Sequence, residues 1–401
     1  MKADIIIGAG YGDEGKGYFT DYISSKKAKS IVIRFNGGAQ AGHTVTTSDN
    51  KTHVFGHFTS NLFLKNASGY LSKYFQLNPI IYLKELKQLN DLDIKPEMAC
   101  HDNCYVSTPY DMLLNQWLEK SRGEERHGSC GLGIGETIHR SEVENLPLFA
   151  HELKDENILK LKLNKIRIYF ESRVKSLGLE GFLNKFEFAL SNEFQNKFIS
   201  DCSVMLETLK VGVNNISHSF FNDKSIVFEG AQGLMLDQYM GEFPFVTRSN
   251  TGLKNVIDFC IENNIKDLNV IYATRCYKTR HGAGPMKWTL DEKPYENIVD
   301  LTNMPNEYQG TMRFAYLDLD VLSEAIHKDI ESVEDLIKKN NLEVTYNIGI
   351  TWLNISNELK FYHKNKLLKR SMRDFVHYIE EFFEWNVLSS IGKTRKDVKK
   401  V

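Results

Sequence analysis

The chain has 401 residues, 42% hydrophobic and 25% charged, and its Lys+Arg 50 against Asp+Glu 52 leave a formal charge of -2. These values exclude collagen-like, disulfide-scaffold and disordered classes, and they offer no bulk attraction to nucleic acid or a membrane surface; an anionic ligand has to be held by a local site. Six cysteines (Cys100, Cys104, Cys130, Cys202, Cys260, Cys276) are sparse for this length, and the apolar run after Met1 is far shorter than a signal peptide or membrane span, which points to a reduced, cytoplasmic, enzyme-sized protein.

The β-branched run Ile5-Ile6-Ile7 predicts a strand buried on both faces of a parallel sheet. A helix from Tyr18 to Lys27 and a second run, Ile31-Val32-Ile33, complete a strand-helix-strand unit, which implies a parallel pair with a right-handed crossover. Residues 148–213 carry Leu, Lys, Glu, Phe and Asn but no proline, and predict a helical insertion packed on the sheet with its lysines on a solvated face. Ile226 to Phe228 and Val270 to Ala273 predict further strands, each leading into a glycine-containing segment. Open α/β sheets place their ligands at such strand ends. The expected fold is therefore α/β.

The first such segment is Gly8-Ala9-Gly10-Tyr11-Gly12-Asp13-Glu14-Gly15-Lys16-Gly17. From Gly10 it follows the G-x-x-x-x-G-K spacing of a phosphate loop between strand and helix, where backbone N–H groups, the helix N-terminus and Lys16 converge on phosphate oxygens. The Ser or Thr that usually follows the lysine and holds Mg²⁺ is replaced by Gly17, which makes Asp13 the candidate metal ligand. A second glycine cluster, Asn36-Gly37-Gly38-Ala39-Gln40-Ala41-Gly42-His43-Thr44, places His43 at a strand end as a candidate acid or electrostatic catalyst. A carboxylate that takes a proton and a histidine that gives one suggest metal-assisted phosphoryl chemistry on an oxygen. The pair Cys100 and Cys104 has no matching second pair and reads as ordinary core or surface residues, not a zinc site.

Six strings in order carry a resemblance: Gly12-Asp13-Glu14-Gly15-Lys16-Gly17, Gly42-His43-Thr44, Phe228-Glu229-Gly230-Ala231-Gln232-Gly233, Phe243-Pro244-Phe245-Val246-Thr247, Thr279-Arg280-His281-Gly282-Ala283-Gly284-Pro285 and Leu317-Asp318. In these the chain resembles adenylosuccinate synthetases from Ile5 to about Asp397. The resemblance implies a single domain over residues 1–401, built on a large, mostly parallel, P-loop-NTPase-like sheet flanked by helices. It also implies a homodimer acting on a purine nucleoside monophosphate, a nucleoside triphosphate and L-aspartate, with Mg²⁺ and without nucleic acid or membrane. Asp13 would take the N1 proton of a 6-oxopurine and bind Mg²⁺ with the carbonyl of Gly42. His43 and Lys16 would stabilise the phosphoryl group passing to the 6-oxygen, which aspartate then displaces. Gly15, Gly17 and Gly42 fall at the triphosphate, and Gly12, Glu14 and Thr44 are further nucleotide-binding positions. Ser129, Cys130, Gln232, Leu236 and Thr247 fall at the purine nucleotide, Asn354 and Gly392 at the donor base, and Thr311 and Arg313 at aspartate.

The departures from that pattern bear on substrate. The loop Tyr308-Gln309-Gly310-Thr311-Met312-Arg313 keeps Arg313, whose guanidinium fork suits a carboxylate, but has Thr311 in place of the arginine that contacts ribose. Thr351-Trp352-Leu353-Asn354 stands where a T-K-x-D string selects guanine; an Asn offers the one donor and one acceptor that adenine matches, the alternative being that a nearby acid does this work. Ser129-Cys130-Gly131-Leu132-Gly133 replaces a threonine- and arginine-bearing loop, Gln40 replaces an asparagine, Tyr18 a basic residue, and His281 an apolar one. Arg140 is weighed as a stand-in for an arginine that relatives donate across the dimer interface. Loss of ribose and guanine contacts resembles the viral branch that joins aspartate to dGMP with ATP or dATP, although the best-known members of that branch lack the catalytic Asp. The leading reading is dGMP with an adenine nucleotide donor; the alternatives are IMP with GTP, an inactive nucleotide-binding paralogue, and a plain P-loop kinase or ATPase.

Overall fold

The run Ile5-Ile6-Ile7 lies in the strand Lys2–Gly8 of the computed structural model, which describes residues 1–125, 127–298 and 311–400 apart from the side chains of Glu124 and Lys400. Ile5 and Ile7 pack on one face with Ile31, Ile33 and Val270, while Ile6 packs on the other with Phe19, Val32 and Val227. Burial on both faces is why the run is continuous instead of alternating. Each such side chain removed from water contributes about 1.5–3 kcal/mol.

This strand is central in a ten-stranded sheet, whose order is Val398–Lys400, Asn386–Ser390, Glu343–Thr351, Asp267–Arg275, Lys2–Gly8, Ser225–Gly233, Ser30–Arg34, Ala67–Leu71, Met98–Cys100 and Leu209–Val211. All neighbours are parallel except Val398–Lys400, which runs antiparallel at the edge. The α/β fold is thus as expected. The first two sequence-predicted strands are parallel but are not a pair, because Ser225–Gly233 is hydrogen-bonded between them. That insertion brings the glycine segment after Phe228 between the two glycine loops of the N-terminal unit. The helix between them is Lys16–Ser25, starting two residues before the predicted boundary.

Between 148 and 213 the long helices are Glu156–Ser176 and Asn192–Leu206. Leu159, Leu163, Ile166, Phe170 and Val174 form the buried stripe of the first, whereas Leu161 and Ile168, apolar but off that stripe, are exposed. The stripe joins a second core with the helices Pro79–Asp91 and Pro109–Arg122. Not all of this segment is helical: Leu209–Val211 is the outermost strand of the large sheet. A smaller sheet contains Tyr277–Arg280, Arg313–Asp318, Glu358–His363 and Lys366–Ser371, with Thr289–Leu290 also paired to Arg313–Asp318. Cys100 and Cys104 are buried in the second core. No helix among the described residues is long and apolar enough to cross a membrane.

Candidate active site

The carboxyl ends of the central strands open into a cleft of about 490 Å³, within the range of small-molecule sites. Its walls include Gly12, Asp13, Lys16, Gly42 and His43, and across from these Ser129, Cys130, Gln232, Leu236 and Thr247, so ten of the residues named from sequence share it.

The phosphate loop is held from within by Glu14. This buried side chain accepts from Gly10 N–H (3.0 Å) and Gly12 N–H (2.7 Å) through Oε1, and its Oε2 pairs with Lys16 Nζ at 2.6 Å. Gly15, at φ 90°, caps the helix Lys16–Ser25; a Cβ there would lie 2.7 Å from Thr351 Cγ2, in a conformation that L side chains rarely adopt. Thr351, at the end of its strand, donates from Oγ1 to the Glu14 carbonyl at 3.1 Å. Gly17 explains the missing hydroxyl. A Cβ on it would stand 2.7 Å from both His43 Cβ and Ser60 Oγ, so the space a Ser or Thr needs is filled by these two residues.

Asp13 has its carboxylate in the cleft, where Oδ2 accepts from His281 Nε2 at 3.1 Å, and its carbonyl accepts from Arg275 Nε. Burial pushes its pKa up, but the hydrogen bond from His281 and the charges of Arg275, His281 and Lys16 outweigh it and hold Asp13 below the usual carboxylate range. His43 starts the hairpin strand His43–Thr46, which pairs with Thr52–Phe55. Its Nδ1 lies 2.7 Å from Glu229 Oε1, and Nε2 is buried and without a partner among the described residues. Burial lowers the His43 pKa against the pull of Glu229. Burial also works against ionisation of Glu229, yet His43, Arg34 and the Ser60 hydroxyl bring it down to about 2. The pair is therefore a carboxylate receiving Nδ1–H, with the Nε2 lone pair turned to the cleft. Glu229 stands in the motif Phe228–Gly233, but nothing local marks a buried strand glutamate as the partner of a histidine in another loop.

Gln232, at φ 62° near the end of the strand Ser225–Gly233, keeps Oε1 buried and unpartnered beside the cleft, as Gln40 does both of its amide atoms. Ser129 is fixed by Asn115, whose Nδ2 donates to Oγ at 2.9 Å, and burial pushes the Cys130 thiol up to about 11. Thr247 N–H donates to the Leu236 carbonyl at 2.8 Å.

Other residues named from sequence lie elsewhere. Thr44 follows His43 in the hairpin strand and is outside the cleft lining, and Asn354 is exposed in a short turn, Leu353–Ile355, likewise outside it. Gly392 belongs to a loop clasped on the helix Lys16–Ser25, where Tyr18 Oη donates to Thr394 O at 2.9 Å and Arg395 pairs with Asp21 at 3.0 Å. Thr311 and Arg313 line a second, more open cleft of about 550 Å³. Arg313 still reaches toward the first: its Nη2 donates to Gly282 O at 2.9 Å and Gly284 O at 2.7 Å, in the loop that carries His281. Tyr308, Gln309 and Gly310 lie outside the described residues. Arg140 does not suit donation to a partner subunit. It is fully buried, forks onto Asp111 at 2.9 and 3.0 Å and donates to the carbonyls of Val106 and Leu146, so its charge is spent inside its own chain.

The chain is similar to known proteins in sequence and in fold. The sequence profile of the adenylosuccinate synthetase family matches residues 5–338. An adenylosuccinate synthetase from Prochlorococcus marinus is 32% identical over 314 residues, 75% of this chain and 67% of that protein. One from Hydrogenobaculum is 26% identical over 434 aligned positions, 99% of each chain. In fold, the chain is similar to a fully ligated adenylosuccinate synthetase from Plasmodium falciparum, with TM-score 0.74, 18% identity and 98% of both chains covered. It is also similar to a cyanophage S-2L succinoaminodeoxyadenylate synthetase bound to dGMP and dATP, with TM-score 0.61, 16% identity, and 100% of this chain and 95% of that one covered.

Proposed function

The chain belongs to the adenylosuccinate synthetase family, and on that premise we propose that this ligase joins L-aspartate to C6 of dGMP, with ATP or dATP as phosphoryl donor. The observation that carries the chemistry is the meeting of Asp13, Lys16 and the unpartnered His43 Nε2 in one cleft. An ionised Asp13 takes the proton from purine N1 and leaves the 6-oxygen nucleophilic. Lys16 exchanges its Glu14 partner for the donor's phosphates, and His43, once its Nε2 takes up a proton to give an imidazolium that the Glu229 carboxylate stabilises, meets the negative charge that gathers on the transferred group. Phosphorylation makes the 6-oxygen a leaving group, and the aspartate amine displaces it while Arg313 holds a carboxylate of aspartate.

The Asp13 carboxylate and the Gly42 carbonyl, both on the cleft wall, are oxygen donors of the kind Mg²⁺ takes in ones and twos while keeping phosphate oxygens and waters as its other ligands. When bound there, the ion would neutralise charge on the phosphates. Among the described residues no group of three or more His, Cys, Asp or Glu side chains is placed to hold a metal ion.

Two features favour dGMP and an adenine donor. Thr311 supplies no guanidinium for a ribose hydroxyl, and Asn354 lacks the two anionic acceptors that guanine's N1–H and N2–H call for. Asp13 has two carboxylate oxygens, enough to accept from both N1–H and the 2-amino group of the acceptor base. Steady-state assays that cross IMP, dIMP, GMP and dGMP with ATP, dATP and GTP, each with and without aspartate, test the reading. Aspartate-dependent turnover of dGMP with ATP or dATP is expected. Turnover of IMP with GTP alone would replace it with the ordinary adenylosuccinate reaction.

A further inference from the structure

The cleft has a second charged centre, away from Asp13. Arg173, in the last turn of the helix Glu156–Ser176, and Arg248, next to Thr247, both line it. So do Glu136, His139 and Arg122, the last tied to Glu119 at 2.7 Å. The Arg248 Cγ lies 3.9 Å from the place a Cβ on Gly135 would take, which puts its stem against the short helix Ile134–Ile138. Arg173 Nε and Glu136 Oε2 are buried without a hydrogen-bond partner, and among the described residues neither Arg173 nor Arg248 makes an ion pair. Buried donors of this kind are rarely left unmet in a native protein.

The two centres are electrically distinct. The charges acting most on Asp13 are Arg275, His281 and Lys16, whereas those on Glu136 are Arg173, Asp111, Arg122 and Arg248. Burial raises the Glu136 pKa, which favours the neutral acid and weakens its repulsion of an incoming anion. A ligand with a purine at one end and a dianion at the other fits a cleft so divided, and a guanidinium fork matches phosphate oxygens two at a time.

We propose that Arg173 and Arg248 form the subsite for the 5'-phosphate of the acceptor nucleotide, so that the helical segment, whose lysines read from sequence as a solvated face, supplies part of the binding site. The assignment rests on the reading of the cleft as the site of a purine nucleoside monophosphate. Arg173 also faces the carbonyl end of its own helix, where a cation is favourable without any ligand, and the experiment separates the two roles.

Calorimetry on the full chain would compare dGMP with deoxyguanosine, and IMP with inosine, for the wild type, Arg173→Met, Arg248→Gln, Arg173→Lys and Arg248→Lys. In the wild type the monophosphate is expected to bind far more tightly than its nucleoside. In Arg173→Met and Arg248→Gln that advantage should shrink by about tenfold or more, as expected for a lost charge-assisted fork, while nucleoside affinity and the KM values for the triphosphate and aspartate stay put. The lysine variants, which keep the charge and the helix-end interaction, should recover part of the loss. Folded methionine and glutamine variants with wild-type monophosphate affinity would overturn the subsite alone. Failure of the wild type to bind either monophosphate would overturn the reading of the cleft itself.

Discussion

His43 and Glu229, 186 residues apart in the chain, meet at 2.7 Å with no solvent access to the carboxylate. The contact fixes the histidine's tautomer and turns Nε2 to the cleft. Glu229→Gln keeps the shape but replaces a carboxylate acceptor with an amide, which also presents a donor to Nδ1. Expected is a fall in kcat of about 10- to 100-fold, the usual effect of removing an orienting partner, with little change in the KM for triphosphate. Stopped or continuous assays of phosphate release would measure it, and an unchanged kcat would mean that His43 needs no such support.

Gly17→Ser restores the residue type of an ordinary phosphate loop. Because the new Cβ would press on His43 and Ser60 at 2.7 Å, the substitution should lose about 1–3 kcal/mol of stability, typical of overpacking, and should lower activity instead of raising it. Thermal unfolding and a Mg²⁺ titration of turnover would show this. A gain in activity would mean that the loop can open to accept a hydroxyl.

Arg313→Lys retains charge but neither the Nη2 donor that holds the Gly282 and Gly284 carbonyls nor the guanidinium fork offered to a carboxylate. The expected result is a KM for aspartate raised about tenfold, since Lys does not replace Arg at a bidentate site, with the monophosphate KM rising less. Equal rises in both would place Arg313 in general support of the His281 loop.

Asp329 gives the protein a pH dependence unconnected with catalysis. Its burial raises the pKa to about 7, although Leu253 N–H at 2.9 Å and Tyr272 Oη–H at 2.8 Å donate to it and pull the other way. The folded state thus keeps a proton that the unfolded chain releases near pH 4. From this group, stability is fully present below that point and is lost as pH rises toward 7, at up to about 1.4 kcal/mol per pH unit. Asp329→Asn should flatten the slope between pH 4 and 7. Urea unfolding across that range checks it, and an unaltered slope would assign the dependence elsewhere.

What the sequence made legible was local. The continuous isoleucine run, the glycine spacing and the cluster around His43 each lie within a few residues of one another, so periodicity and spacing expose them. Pairings across the fold were not legible. The placing of Ser225–Gly233 between the two N-terminal strands, the burial of Arg140 on Asp111, and Glu229 behind His43 depend on which distant surfaces pack, and residue type alone is silent on that. Arg173 shows the same limit: one cation among many on a polar helix acquires meaning only from the surface that its helix turns to the cleft.

The clasp of Thr394 and Arg395 on Tyr18 and Asp21 joins the helix behind the phosphate loop to a segment more than 370 positions away. Opening of that segment and release of the phosphate loop are then linked equilibria. A triphosphate that holds the loop is expected to slow amide exchange around Thr394, and opening of that segment to weaken the grip on triphosphate by the same free energy.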